Sequence, residues 1–378
     1  MKKILFLIVI LLPALTYAQK KTKVPSTYDL VIGTYTTGTS KGIYVYRFYT
    51  ETGKLAYLSQ IEGVDNPSYV TLSSNNRFIY AVNETGKNGE VSAFKFEPNE
   101  GKMTFINKQS SAGADPCYIS VDEAQKNVFV ANYSSGALAV LPINKDGSLG
   151  APSQVIKDAG KGPDTSRQEG PHVHMAQLSP DEKYLLYTDL GTDKINIARY
   201  HASRPQPLTP ADPAFVSVKG GNGPRHFAFS NDKKFVYLLQ EMGSAINVYS
   251  YNNGKLKELQ SVTMMKTGFK GTNGAAAIHI TPDGKFLYAT DRLDASSILA
   301  YAVNQETGEL TFIERYSTYG KNPRDFAIDP TGSYLLVANQ NSDSIYEYKI
   351  NKETGKLSLT RNKLEIGNPV CLKFTAAE

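Results

Sequence analysis

Short apolar runs recur in pairs along this chain, each pair divided by a polar turn, and residues 222–241 (NGPRHFAFSNDKKFVYLLQE) show the unit most clearly. Pro224 and Arg225 open an alternating strand with Phe227 and Phe229 on one face. Asn231, Asp232, Lys233 and Lys234 form the turn, and residues 235–239 form a second apolar strand that ends at Gln240 and Glu241. Two strands joined by a tight polar turn predict an antiparallel hairpin.

The same unit falls into register at residues 66–84 (NPSYVTLSSNNRFIYAVNE), 115–133 (DPCYISVDEAQKNVFVANY), 173–190 (VHMAQLSPDEKYLLYTDL), 275–292 (AAAIHITPDGKFLYATDR) and 322–340 (NPRDFAIDPTGSYLLVANQ), with a half-copy at 368–374 (NPVCLKF). The residue after the proline, or its equivalent, is Ser68, Cys117, His174, Arg225, Ala276, Arg324 and Val370, giving steps of 49, 57, 51, 51, 48 and 46 residues. A period near fifty with about four strands per unit marks a β-propeller rather than a solenoid, whose repeats are shorter. An outer strand recurs seven times as well, from residues 42–46 (GIYVY) to 345–348 (IYEY). The fold expected is therefore all-β: a seven-bladed β-propeller of four-stranded antiparallel blades. The half-copy at the C-terminus supplies one strand, and residues 28–58 supply strands with no proline strand before them. One blade is thus predicted to be shared between the termini, which closes the ring without an open sheet edge.

Residues 1–18 (MKKILFLIVILLPALTYA) have two lysines, an apolar run of about ten residues and a small-residue end, and read as a secretory signal peptide. The run falls short of the roughly twenty residues that span a bilayer. Residues 19–378 are then one propeller domain, exported to a periplasm or secreted, with no membrane span after cleavage. The formal net charge of +5 includes Lys2 and Lys3, and the remaining charges are interspersed, so no nucleic-acid partner is expected. Cys117 and Cys371 lie in units with one blade between them, beyond disulfide reach. A monomer or weak dimer is expected.

Candidate chemistry lies where the repeat departs from its own pattern. At the start of the inner strand, His174, Arg225 and Arg324 replace the small or apolar residues of other units. At the end of the next strand stand Glu84, Tyr133, Leu190, Glu241, Arg292 and Gln340. If both slots face one channel mouth, His174, Arg225, Glu241, Arg292 and Arg324 converge, with His226 and His279 behind them on the opposite strand face. The plainer readings are that Arg324 ties strands with Asp325 as its partner, that Glu241 pairs with Arg225, and that His226 and His279 are packed. His172 reads as a loop residue and His201 as surface. No Gly-x-Ser-x-Gly elbow and no His-x-x-x-His spacing occurs, which argues against an acyl-serine route and against a required metal or cofactor.

The segments GPHVHMAQLSPDEKYLLYTDLGTDKI, GPRHFAFSNDKKFVYLLQE, IHITPDGKFLYATDR and NPRDFAIDPTGSYLLVANQ resemble the signature segments of the lactonase-type seven-bladed propellers, which include propeller-type 6-phosphogluconolactonases and carboxy-muconate lactonizing enzymes. The resemblance implies an active-site histidine at His174, arginines at Arg225 and Arg292, a glutamate at Glu241 and, in the lactonase branch, a further arginine at Arg324. The function it implies is hydrolysis of a small anionic sugar-acid lactone, with Glu241 or His174 as base, Arg225 toward the oxyanion, and Arg292 and Arg324 clamping the anion. A muconate-type cycloisomerase and a non-catalytic binding or scaffold propeller are the alternatives.

Overall fold

The computed structural model describes residues 25–98 and 100–376, so the predicted signal peptide lies outside the described residues. The described residues form seven four-stranded antiparallel sheets, each running from an inner strand outward, with three short 3-10 turns as the helical content. The inner strands are Val70–Leu72, Pro116–Val121, Val173–Leu178, Pro224–Phe229, Ala275–Ile280, Pro323–Ile328 and Pro369–Ala376. We number the blades 1 to 7 by these strands. Blade 7 is the shared one: its inner strand comes from the C-terminus and pairs antiparallel with Thr27–Thr34, Leu30 opposite Phe374 and Ile32 opposite Leu372.

Each blade is buried on both faces by its neighbours, which explains why the second strands are apolar up to their last one or two residues rather than alternating. Phe235–Gln240 and Tyr334–Asn339 are buried at every position, as expected for a strand packed on two sides. Outermost strands such as Lys255–Thr263 alternate exposed and half-buried residues. The hairpin turns explain the polar signature of the repeat. Ser230 Oγ donates to Asp232 and accepts from the Phe235 amide at 2.9 Å, and Thr281 and Asp283 repeat the arrangement. The turn needs a left-handed residue, met by Gly284 (φ +76°) and Gly332 (φ +68°) and, in blade 4, by Lys233 (φ +65°).

At the other end of the inner strands lies the feature that builds the site. The pairing register slips by one residue between Pro116 and Tyr118, Val173 and Met175, Pro224 and His226, and Pro323 and Asp325. The residues left unpaired in these β-bulges are Cys117, His174, Arg225 and Arg324, the first-slot residues. A bulge re-aims the side chain it carries. Here it turns four side chains together into one channel mouth.

Candidate active site

Glu241 sits at the centre of this mouth, one residue past the second strand of blade 4, with its amide bound to the Gly223 carbonyl at 2.7 Å. Three arginines surround its carboxylate. Arg225 Nε and Arg292 Nη2 lie 2.9 and 3.0 Å from Oε2, and Arg167 Nη2 lies 2.6 Å from Oε1. Burial alone would push the Glu241 pKa up, but Arg292, Arg225 and Arg167 together hold it well below the usual carboxylate range. It is ionised at neutral pH and, in this state, a very weak base.

The arginines are not equivalent. Arg225 is almost fully enclosed, 1% exposed, and donates through Nη1 to the Ala276 carbonyl. Burial, with Arg292 and Arg324 nearby, lowers its pKa to about 9, which leaves it charged at neutral pH. Arg292 donates through Nε to the Gly274 carbonyl at 2.9 Å. Arg324 lies over the Tyr35 ring, its guanidinium carbon 5.4 Å from the centroid. Among the described residues no carboxylate comes within 4.0 Å of the Arg324 guanidinium. Glu84, the nearest acid of this side, accepts from Tyr35 at 2.8 Å and from Ser68. Asp325 does not pair with Arg324, as its place in the sequence suggests. It accepts from the Leu372 amide at 3.0 Å and faces His279 Nε2 at 3.2 Å, because the bulge sends neighbouring side chains to different levels of the channel.

His174 packs beside this cluster with Nδ1 3.8 Å from Cys117 Sγ. Burial, then the charge of Arg225, drives its pKa well below the ordinary imidazole value, so it is neutral. Cys117 and Cys371 are both free and buried. Burial pushes both thiols up, so neither is a nucleophile at neutral pH.

Of the seven expected residues, His174, Arg225, Glu241, Arg292 and Arg324 converge. His226 lies one layer deeper, edge-on to His174 (5.2 Å between centroids) and to Tyr118 (5.3 Å). His279 is not brought to the arginines. It stands three positions beyond Ala276, about 10 Å along the strand, beside Asp325. There it lines a separate cavity of about 500 Å³ with Tyr69, Tyr118, Gln177 and Lys373, at the hairpin-turn end of the channel. His201 is exposed. His172, read as a loop residue, belongs to the mouth: it is 8% exposed and stacks on Tyr133 at 4.5 Å. Arg167 and Tyr133 were the residues missed. Tyr133 occupied a second-slot position. The trace of Arg167 was the long step of 57 residues between Cys117 and His174, which holds the extra loop that carries it.

The seven-bladed ring, matched over nearly its whole length by lactonase relatives, is a propeller enzyme of the lactonase class. The chain belongs to the family described as Lactonase, 7-bladed beta-propeller, whose model matches residues 29–374. It is 36% identical over 345 residues to 6-phosphogluconolactonase of Bacillus subtilis (strain 168), covering 91% of this chain and 97% of the relative. It is 33% identical over 336 residues to 6-phosphogluconolactonase of Formosa agariphila, covering 88% and 95%. The solved structure of a periplasmic gluconolactonase from Pseudomonas aeruginosa superposes with a TM-score of 0.89 at 38% identity, covering 93% of this chain and all of that one.

Proposed function

We propose that this protein hydrolyses a six-carbon sugar-acid lactone bearing an anionic group, and that it does so outside the cytoplasm after export. The observation that carries this reading is the charge of the mouth. Four guanidiniums, Arg167, Arg225, Arg292 and Arg324, crowd two inward carboxylates among the described residues, Glu84 and Glu241, while Glu169 stands exposed at the rim beside His172; arginine is a charged, fork-shaped donor for anions. The excess of two positive charges matches a phosphate monoester, the substituent that the names of the Bacillus and Formosa relatives carry. Residues 1–18 and the periplasmic relative support export.

In this reading Glu241 takes a proton from water as the water oxygen attacks the lactone carbonyl. The ring C–O bond breaks, and the same proton passes to the departing ring oxygen, leaving the open-chain acid. Arg292, whose side chain is still 13% exposed, faces the carbonyl oxygen as it gains charge in place of Arg225, the residue expected there from the sequence, because Arg225 is enclosed and holds Glu241 from beneath. Arg324, with no carboxylate partner among the described residues, receives the anionic group. His174 stays neutral and orders the attacking water beside Glu241.

The test is acid release by residues 19–378 from gluconolactone and its 6-phosphate, corrected for spontaneous opening and run beside Glu241→Gln. Acceleration that favours the phosphate and collapses in the variant is expected. Acceleration of neither lactone would overturn the reading.

A further inference from the structure

The loop between the strands Gln154–Lys157 and Val173–Leu178 is the longest departure from the repeat, and it carries Arg167 into the mouth. Its backbone is held. Gln168, fully buried, donates from its side chain to the Leu190 carbonyl at 2.8 Å and from its amide to the Asp164 carbonyl at 2.7 Å. The Asp164 carboxylate in turn accepts from the amides of Ser166 (2.9 Å) and Arg167 (3.1 Å). The side chain of Arg167 is different: it is 44% exposed and reaches across to Glu241 Oε1 at 2.6 Å, with the Tyr133 hydroxyl 3.3 Å from the same nitrogen.

With Arg167 in this position both oxygens of Glu241 are occupied, Oε2 by Arg225 and Arg292 and Oε1 by Arg167. So caged, the carboxylate is held a very weak base, and Arg167 stands at the oxygen that neither Arg225 nor Arg292 is paired with. Arg225 is enclosed and Arg292 is tied to a carbonyl, so neither can leave without breaking buried contacts. Arg167 can leave by rotation of an accessible side chain on a fixed backbone, once the single Nη2–Oε1 contact is exchanged.

We propose that Arg167 is the exchangeable cation of this site: the phosphate of the incoming lactone takes the Arg167 guanidinium from Glu241, so that one event clamps the substrate and frees Oε1 to act as base. The inference rests on the lactone-hydrolase reading above. It gives a reason for the fourth arginine, which the repeat does not supply, and for a base that is locked while the site is empty. The contact given up is a single one, Nη2 to Oε1, whereas a phosphate can take the guanidinium through two parallel bonds. A lactone without the anionic group has nothing to draw the arginine away, and selectivity follows from the same contact.

Equilibrium binding of the stable products, 6-phosphogluconate and gluconate, to the wild type, Arg167→Gln, Glu241→Gln and the double variant tests this. Arg167→Gln is expected to weaken 6-phosphogluconate by about 10- to 100-fold, the size of a lost charged hydrogen-bond pair, and gluconate much less. Because Arg167 must leave Glu241 to bind, its removal is expected to cost more in the Glu241→Gln background, where nothing competes for it. Equal weakening of both products, or the same cost in both backgrounds, would overturn the exchange. Arg167→Lys, which keeps the charge and loses the fork, is expected to recover part of the affinity, and thermal unfolding of each variant shows that the ring is intact. Lactone opening by the wild type separates the two levels. Opening together with equal binding losses removes only the exchange, whereas no opening of either lactone removes the underlying reading as well.

Discussion

The two ends of the central channel are made by the same seven inner strands and carry opposite kinds of chemistry. At the hairpin-turn end the polar side chains are partnered one to one: His279 faces Asp325 at 3.2 Å, and Lys373 donates to the Tyr69 hydroxyl at 2.9 Å. At the bulged end cations outnumber carboxylates, Glu241 is shared among three arginines, and Arg324 has no acid of its own among the described residues. Partnered polar groups stabilise a wall, while a surplus of one charge in a cleft is the mark of a ligand site. The strand sequences near the turns are therefore read as structure and those at the bulges as function, although both line one channel.

Removing the central carboxylate is the strongest way to break the contrast. Glu241→Gln is expected to lower kcat by about 100- to 10,000-fold, the usual range for loss of a positioned base, with circular dichroism unchanged. Next, Arg324→Ala is expected to reduce kcat/KM for the phosphorylated lactone about 10- to 100-fold and for gluconolactone much less; equal losses would show that Arg324 is structural. At the far end the reverse holds. Burial alone would raise the Asp325 pKa, but His279 and Lys373 hold it below the usual value, so Asp325→Asn is expected to cost about 1–3 kcal/mol in denaturant unfolding while leaving kcat unchanged. The stability this carboxylate lends is present above its unfolded pKa near 4 and is lost as pH falls through its lower folded value.

The smallest effect comes from the layer between the two ends. His226 is buried neutral, its pKa driven well down first by desolvation and then by Arg225 and His174. Lys373 and His279 lower it further from the far end. The unfolded chain binds a proton below about pH 6.5 and the folded one does not, so stability falls as pH drops below that value. His226→Phe is expected to flatten this acid slope by up to about 1.4 kcal/mol per pH unit, read from unfolding midpoints between pH 7 and 5.

How far the sequence reaches is set by the repeat. Blade number, closure of the ring and the slots of His174, Arg225, Glu241, Arg292 and Arg324 were legible because each unit supplies the register for the others. The register also misled. His279 shares a strand with first-slot position Ala276, yet three residues of strand carry it toward the other end of the channel. The plainer reading that Arg324 pairs with Asp325 fails because the bulge at Arg324 separates them. Arg167 was invisible because its loop has no equivalent in other units, so no comparison within the chain could place it. His172 was set aside as a loop residue, and stacking on Tyr133 from a neighbouring blade is a contact that no local pattern encodes.

The clasp of blade 7 bears on when the enzyme exists at all. Tyr35, which follows the first strand and bonds the Asn368 carbonyl through its amide at 3.1 Å, lies under Arg324 from blade 6 and orients Glu84 of blade 1. This corner of the mouth joins the beginning of the chain to its last two blades. A chain still being synthesised has Tyr35 and Glu84 but no Arg324 and no Pro369–Ala376 to dock beside them, so this corner of the mouth has not formed. Anything that binds at this corner therefore meets only a chain whose circle is complete, so the fold itself marks a finished chain.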